Sequence, residues 1–361
     1  MPPGPVALLD LILLRTAPTS VERRLVEGGD IGGVGGGVGG PVVLKEIEVK
    51  MNISSITIFF LSGLNDTSRN YRSALFFLSF TCYCITVLVN VSLILIIIFD
   101  NALHQPMYIL LCAFGINALY GTAGFYPKLL WDLLSPVHII CYSGCLLQAH
   151  MLYTFACSDL SILALMAYDR YLAICRPLEY HSVMSVQRVI KMACSLWLTS
   201  FFIIAVNIFL TSRLKLCSRY INRLFCVNWS IVSLACQLNE TYINEIVANI
   251  TIVIYVNHGF LIVWSYMYII KRCANSIENR AKFVQTCVPH LISLSTFLVT
   301  IMIDVTNNRF RSKDLPQTLQ NFIAMEFLVI SPLMNPLIYG FKLNKVRSRI
   351  VDLITFKCEP I

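Results

Sequence analysis

Charge is what this chain has least of: 13% of its 361 residues are Asp, Glu, Lys or Arg, against 57% hydrophobic. A soluble domain wets its surface with about a quarter of its residues charged, so this composition excludes an ordinary water-soluble globule. Histidine is scarce as well. The six (His104, His138, His150, His181, His258 and His290) are scattered without the paired spacing that a metal centre needs. The glycine tract from Gly28 to Gly40 lacks the Lys-Ser/Thr ending and the flanking strand of a phosphate-binding loop. Long polar stretches are missing beyond residue 72, which leaves no room for a separate soluble catalytic domain. Neither an enzyme nor a cofactor is implied.

What is abundant is apolar sequence, with a mean hydropathy of +0.69. A membrane-crossing helix needs roughly 20 mostly apolar residues. Seven runs meet this length: about 73–99, 106–130, 141–170, 190–211, 243–270, 284–306 and 318–340. The expected fold is therefore an all-α membrane protein, a bundle of seven transmembrane helices within residues 73–340. Residues 1–50 read as a disordered Gly-rich leader, either a true extension or a gene-model artefact, since Met51 opens a plausible alternative start. Residues 51–72 read as an extracellular N-terminal segment and 341–361 as a cytoplasmic tail. The basic stretch Lys342 to Arg349 suits a short amphipathic helix on an anionic inner leaflet after the seventh span, and not a nucleic-acid site. An unmodified Cys358 is preferred to a palmitoylated one.

With Met51 outside, and counting from Met51 on, 13 Lys and Arg residues fall on the cytoplasmic side and 10 on the other, a bias in the positive-inside direction. Sequons agree with this orientation. Asn52 and Asn65 precede the first span, and Asn228 and Asn239 lie in the long loop between the fourth and fifth runs, all on the outer side. Cys145 stands at the outer end of the third run, and Cys217, Cys226 and Cys236 punctuate that loop, which suits an oxidising compartment. Four cysteines allow three pairings, and spacing does not choose among them.

One ion pair needs a reason. Asp169-Arg170-Tyr171, within Met166-Ala-Tyr-Asp-Arg-Tyr-Leu-Ala-Ile-Cys-Arg-Pro-Leu178, places an arginine at the end of a long apolar segment, where charge is costly unless paired or used. With Pro106-Met-Tyr opening the second run, Ser265-Tyr266 in the fifth, Lys282-Phe283, Thr286-Cys287 and His290-Leu291 entering the sixth, and Pro332-Leu-Met-Asn-Pro-Leu-Ile-Tyr339, the chain resembles the rhodopsin-like G-protein-coupled receptors. Within that class it resembles the olfactory (odorant) receptors, especially fish-type sequences, over residues 51–361.

The resemblance implies disulfides Cys145–Cys226 and Cys217–Cys236. It implies a ligand pocket of Leu152, Tyr153, Ala156 and Cys157 on one face of the third span, Ile250, Thr251 and Ile254 in the fifth, and Leu298, Ile301, Met302 and Val305 in the sixth. Leu152 stands where aminergic relatives carry an Asp, which argues against a salt-bridged amine, although Asp304 and Glu326 offer an acidic rim. Asp169, Arg170, Tyr171, Tyr266, Asn335, Pro336 and Tyr339 are the implied switch and coupling residues. Leu298 replaces an aromatic common at its position, and Ala118 replaces a family Asp. Asp159 with Asn90, Ser331 and Asn335 offers either a sodium site or a protonated, hydrogen-bonded carboxyl group. The implied function is an odorant receptor at the plasma membrane, in cilia of olfactory neurons. Its implied partners are a small-molecule odorant, a stimulatory olfactory-type heterotrimeric G protein and the lipid bilayer. The alternatives are a non-olfactory chemosensory receptor of the same fold and, from another class, a transporter or channel.

Overall fold

The computed structural model describes residues 57–64 and 67–273, together with 291, 294, 295, 299, 321, 322, 325, 326 and 328–333. Five of its helices are long and apolar enough to cross a membrane. They are the first span Arg69–Phe99, the second Pro106–Leu134, the third Tyr142–Cys175, the fourth Val186–Ser212 and the fifth Tyr242–Cys273. Each overlaps an expected run. The described residues of the sixth and seventh runs are also helical, and the expected amphipathic helix after the seventh lies outside the described residues.

Local signals set the ends. Pro106 opens the second span and Pro177 opens the short inner helix Pro177–Val183, each at a position whose N–H would have no helical partner anyway. The Ser185 hydroxyl accepts from the Arg188 N–H at 3.4 Å and caps the fourth span.

The third span is the axis of the bundle. It packs against the second, fourth and fifth, and 78% of its most apolar stretch is buried, against 22% for the first and fourth spans. Close approach to the second span depends on small residues there. A Cβ on Gly121 would clash with the Phe155 ring, and one on Gly124 would stand 2.9 Å from Met151 Cβ.

On the outer side the chain forms a three-stranded sheet, which the all-helical expectation did not contain. Strand β1 (Ile58–Leu61) lies between β2 (Ile139–Cys141) and β3 (Tyr220–Ile221), antiparallel to the former and parallel to the latter. The Leu61 N–H donates to the His138 carbonyl at 2.8 Å, and the Phe60 N–H to that of Arg219 at 2.8 Å. Alternation places Phe59 and Leu61 inward, 0% and 3% exposed. The N-terminal segment is thus the central strand joining the first and second outer loops. At its end Gly63 passes so near the second loop that a Cβ there would sit 2.6 Å from the Arg223 carbonyl carbon and 2.7 Å from the Leu224 nitrogen.

Backbone cannot yield as a flexible side chain does, so Gly63→Ala is expected to cost about 1–3 kcal/mol. Gly259→Ala, where an added Cβ meets nothing within 4 Å, gains from helix propensity by up to about 1 kcal/mol. Thermal unfolding of the two purified variants checks the contrast, and equal shifts would mean that β1 is not seated against the second outer loop.

Candidate ligand site and inner-face switch

The long outer loop is closed by two disulfides, Cys145–Cys226 with Cα atoms 5.3 Å apart and Cys217–Cys236 at 4.9 Å. The first spans 81 residues and ties the loop to the third span. Gln148, one turn below Cys145, donates to the Gly124 carbonyl at 3.1 Å and accepts from the Cys226 N–H at 2.9 Å, so it holds both the second span and the lid. Phe225 packs edge-on against Phe125, ring centres 5.4 Å apart, which seats the lid on the second span.

Charged groups gather around His138. Lys128 pairs with the buried Asp132 one turn on. Arg72 ties the first span to the N-terminal segment, donating to the carbonyls of Leu64 at 2.9 Å and Thr67 at 3.1 Å. His138, 6% exposed, sits among these groups. Burial, with Arg72 and Lys128 close by, pushes its imidazole down to about 4.

Below the lid, a polar seam joins the fourth and fifth spans. Asn207 Nδ2 donates to Thr251 Oγ1 at 3.0 Å, and the Tyr255 hydroxyl donates to Ser200 Oγ at 2.9 Å. Thr211 donates to Asn228 Oδ1 at 2.8 Å and accepts from Asn244 at 3.2 Å, linking the seam to the lid. The Cys157 thiol lies beside the Tyr255 hydroxyl, so the third span meets the same seam.

Deeper in the bundle, Asp159 is fully buried. Its Oδ1 accepts from Asn117 Nδ2 at 2.7 Å and its Oδ2 from the Ser331 hydroxyl at 2.9 Å. Trp197 donates to Asn117 Oδ1 at 3.2 Å, so four helices share one polar cluster. Asn90 donates to the Pro332 carbonyl at 2.9 Å, while its buried Oδ1 has no partner among the described residues.

At the inner face, Asp169 is fully buried and held from two directions. Arg170 binds Oδ2 through Nε at 2.9 Å and also through Nη2, and the Tyr180 hydroxyl reaches Oδ1 at 3.0 Å from the short inner helix. Burial and the Asp169 carboxylate hold the Tyr180 phenol well above its ordinary value, so it stays a donor. Tyr171 packs against Trp264 and Tyr268 of the fifth span at 5.2 and 6.1 Å, and Tyr266 is buried beside this region. On the same short inner helix as Tyr180, Leu178 is 97% exposed.

The olfactory receptor family model matches residues 79–357. The chain belongs to the olfactory receptor family. It is 32% identical to olfactory receptor 1D2 of Pan troglodytes over 84% of this chain and 96% of that one. It is also 32% identical to olfactory receptor 5F1 of Homo sapiens, over 85% and 98%. Membership makes this a multi-pass plasma-membrane receptor of the seven-helix G-protein-coupled class rather than an enzyme, and removes the transporter or channel alternative. The fish-type likeness gains no support from these mammalian relatives.

In the receptor, Leu152 is buried, and Tyr153, Ala156 and Cys157 on the third span and Ile254 on the fifth are half-buried against the core. Thr251 is half-buried as well, with its hydroxyl already bonded to Val247 and Asn207. Ile250 does not join them. It is 55% exposed, on the outward stripe shared with Ile243, Ile246 and Val253, because 100° per residue turns it away from the Thr251 face. Leu298, Ile301, Met302, Val305, Asp304, Asn335, Pro336, Tyr339, Asn52 and Asn65 lie outside the described residues. Asn228 is engaged by Thr211, whereas the Asn239 sequon is exposed. Sequence reasoning missed Ser200, Asn207, Tyr255, Gln148 and Tyr180, which only contacts between elements reveal.

The His138 environment sets a pH dependence. Its pKa is about 4 in the folded receptor and near 6.5 when unfolded, so above pH 6.5 it contributes no slope. Between 6.5 and 4 the unfolded chain binds the proton that the folded one refuses. Stability therefore falls as the pH drops, by at most about 1.4 kcal/mol per pH unit, and levels off below 4. Thermal unfolding between pH 7.5 and 5 should show this slope in the wild type and a shallower one in His138→Leu; identical slopes would refute the assignment.

Proposed function

We propose that this receptor binds a small, mostly uncharged organic odorant between the third and fifth spans, beneath the disulfide-tied lid, and activates a stimulatory olfactory-type heterotrimeric G protein at its inner face. The observation that carries the reading is the inner latch. A buried carboxylate paired with Arg170 and hydrogen-bonded by Tyr180 stands near Leu178, an apolar side chain left almost wholly uncovered. Burying an Asp without partners costs several kcal/mol, so Asp169 keeps Arg170 turned inward until another arrangement is stabilised. The ligand supplies no chemistry. It shifts the population by binding one conformation better than the other.

The pocket side is supported by the apolar character of Leu152, Ala156 and Ile254 and by the absence of a carboxylate among them. Affinity then comes mainly from removing apolar ligand surface from water, at about 25 cal/mol per Å². The half-buried Glu326 is the described member of the acidic rim. A sodium ion among Asp159, Asn90, Ser331 and Asn335 is favoured by the oxygen donor set and the unpartnered Asn90 Oδ1. Against it, Asn117 and Ser331 already direct donors at both Asp159 oxygens.

Arg170→Ala is expected to abolish ligand-driven cyclic-AMP signalling with receptor still at the cell surface. Tyr180→Phe removes one bond to a charged group, worth about 1.5 kcal/mol, and should raise basal output by up to about tenfold. Leu178→Asp should depress coupling while ligand binding persists. Undiminished cyclic-AMP from Arg170→Ala would overturn the switch.

A further inference from the structure

The polar atoms along the third-, fourth- and fifth-span seam have their hydrogens committed. The Thr251 hydroxyl donates to the Val247 carbonyl at 2.8 Å, and one of its lone pairs takes the Asn207 amide. Ser200 donates to the Leu196 carbonyl at 3.0 Å, so in the Tyr255–Ser200 bond the hydrogen must come from Tyr255. His258 Nδ1 faces the Ile254 carbonyl at 2.9 Å; a carbonyl only accepts, so Nδ1 carries the proton and Nε2 of the neutral ring is left with a lone pair. Both hydrogens of the Asn207 amide are used as well, on Ile203 and Thr251. With the Tyr255 hydrogen spent on Ser200, the Cys157 thiol beside it spends its own hydrogen on one lone pair of the Tyr255 oxygen.

On the fifth-span side of the pocket, what remains for a ligand is one kind of group. Thr251, Tyr255 and His258 follow one another at helical spacing along one face of the fifth span, and each has acceptor capacity left and no hydrogen to give. From this juxtaposition we propose that the pocket selects neutral ligands carrying a hydrogen-bond donor, alcohols and phenols foremost, over ketones, esters and ethers of the same shape. The proposal rests on the reading that odorants bind between the third and fifth spans. A carbonyl or ether oxygen placed there meets lone pairs and loses its water without replacement, whereas a hydroxyl exchanges one partner for another. An ammonium also donates, but burying its charge where no carboxylate faces it is far costlier. Sites that bond a ligand hydroxyl discriminate strongly against analogues lacking it.

The test uses purified full-length receptor and ligand-induced thermal stabilisation, a readout independent of any G protein. The probes are straight-chain primary alcohols and, for each, the methyl ketone and methyl ether with equal numbers of heavy atoms. The alcohol should half-saturate at concentrations about 10- to 100-fold lower than either analogue. Ser200→Ala returns the Tyr255 hydrogen to the pocket and should narrow that ratio towards unity by improving the ketone. Ala156→Phe fills the pocket and should abolish stabilisation by every probe. A ketone or ether equal to the alcohol in the wild type, stabilisation by no probe, or a ratio unmoved in Ser200→Ala overturns the donor rule. If alcohols still stabilise Ala156→Phe, the pocket placement itself fails, a result distinct from a flat ratio that Ala156→Phe nonetheless abolishes.

Discussion

A polar group in hydrocarbon has no water to fall back on, so each must be satisfied inside the protein, and the third span is where this chain meets that demand. From the outer to the inner leaflet it carries Gln148, Cys157, Asp159 and Asp169, and their contacts tie it to the lid, the fifth span, the second and seventh, and the inner loop. Each tie uses a neighbouring helix as the missing solvent. The same constraint explains the small residues opposite it, since hydrogen bonds of about 3 Å require the helices to approach closely and Gly121 and Gly124 permit it.

The outer and inner ends solve different problems. Outside, backbone can meet water, so irregular structure is tolerated and is held by covalent and strand pairing: two disulfides, the three-stranded sheet and the Gln148 bridge. This makes a lid with a fixed seat. Inside, Arg170 and the short inner helix are held by a few bonds centred on one carboxylate, the parts that the proposed switch would move. A covalent lid with a breakable latch suits a receptor whose signal is a change of population at the far end.

The membrane character, the positions of the five fully described spans and the Asp169–Arg170 pair were legible in the sequence because each rests on a local property. A run of apolar residues is a helix across a bilayer whatever surrounds it, and an arginine at a span end needs a partner close by in the chain. The bridges Cys145–Cys226 and Cys217–Cys236 followed from family resemblance, spacing having left three pairings open. The β1 strand was not legible. Ile58–Leu61 is only four apolar residues, too short to mark a strand by alternation, and its partners lie about 80 and 160 positions away.

The proposed pocket divides along the same line. Its apolar composition and lack of an amine anchor belong to the sequence, since residue type alone decides which charges are present. Which atoms still have a hydrogen to offer was decided only by tertiary structure. Thr251 is a donor or an acceptor until Asn207 and Val247 are placed beside it, and Tyr255 until Ser200 is. Ile250 and Thr251 are neighbours in sequence, yet one faces outward and the other inward. The physical reason is that hydrophobicity belongs to a side chain, whereas hydrogen-bond capacity is what remains after its neighbours have been served.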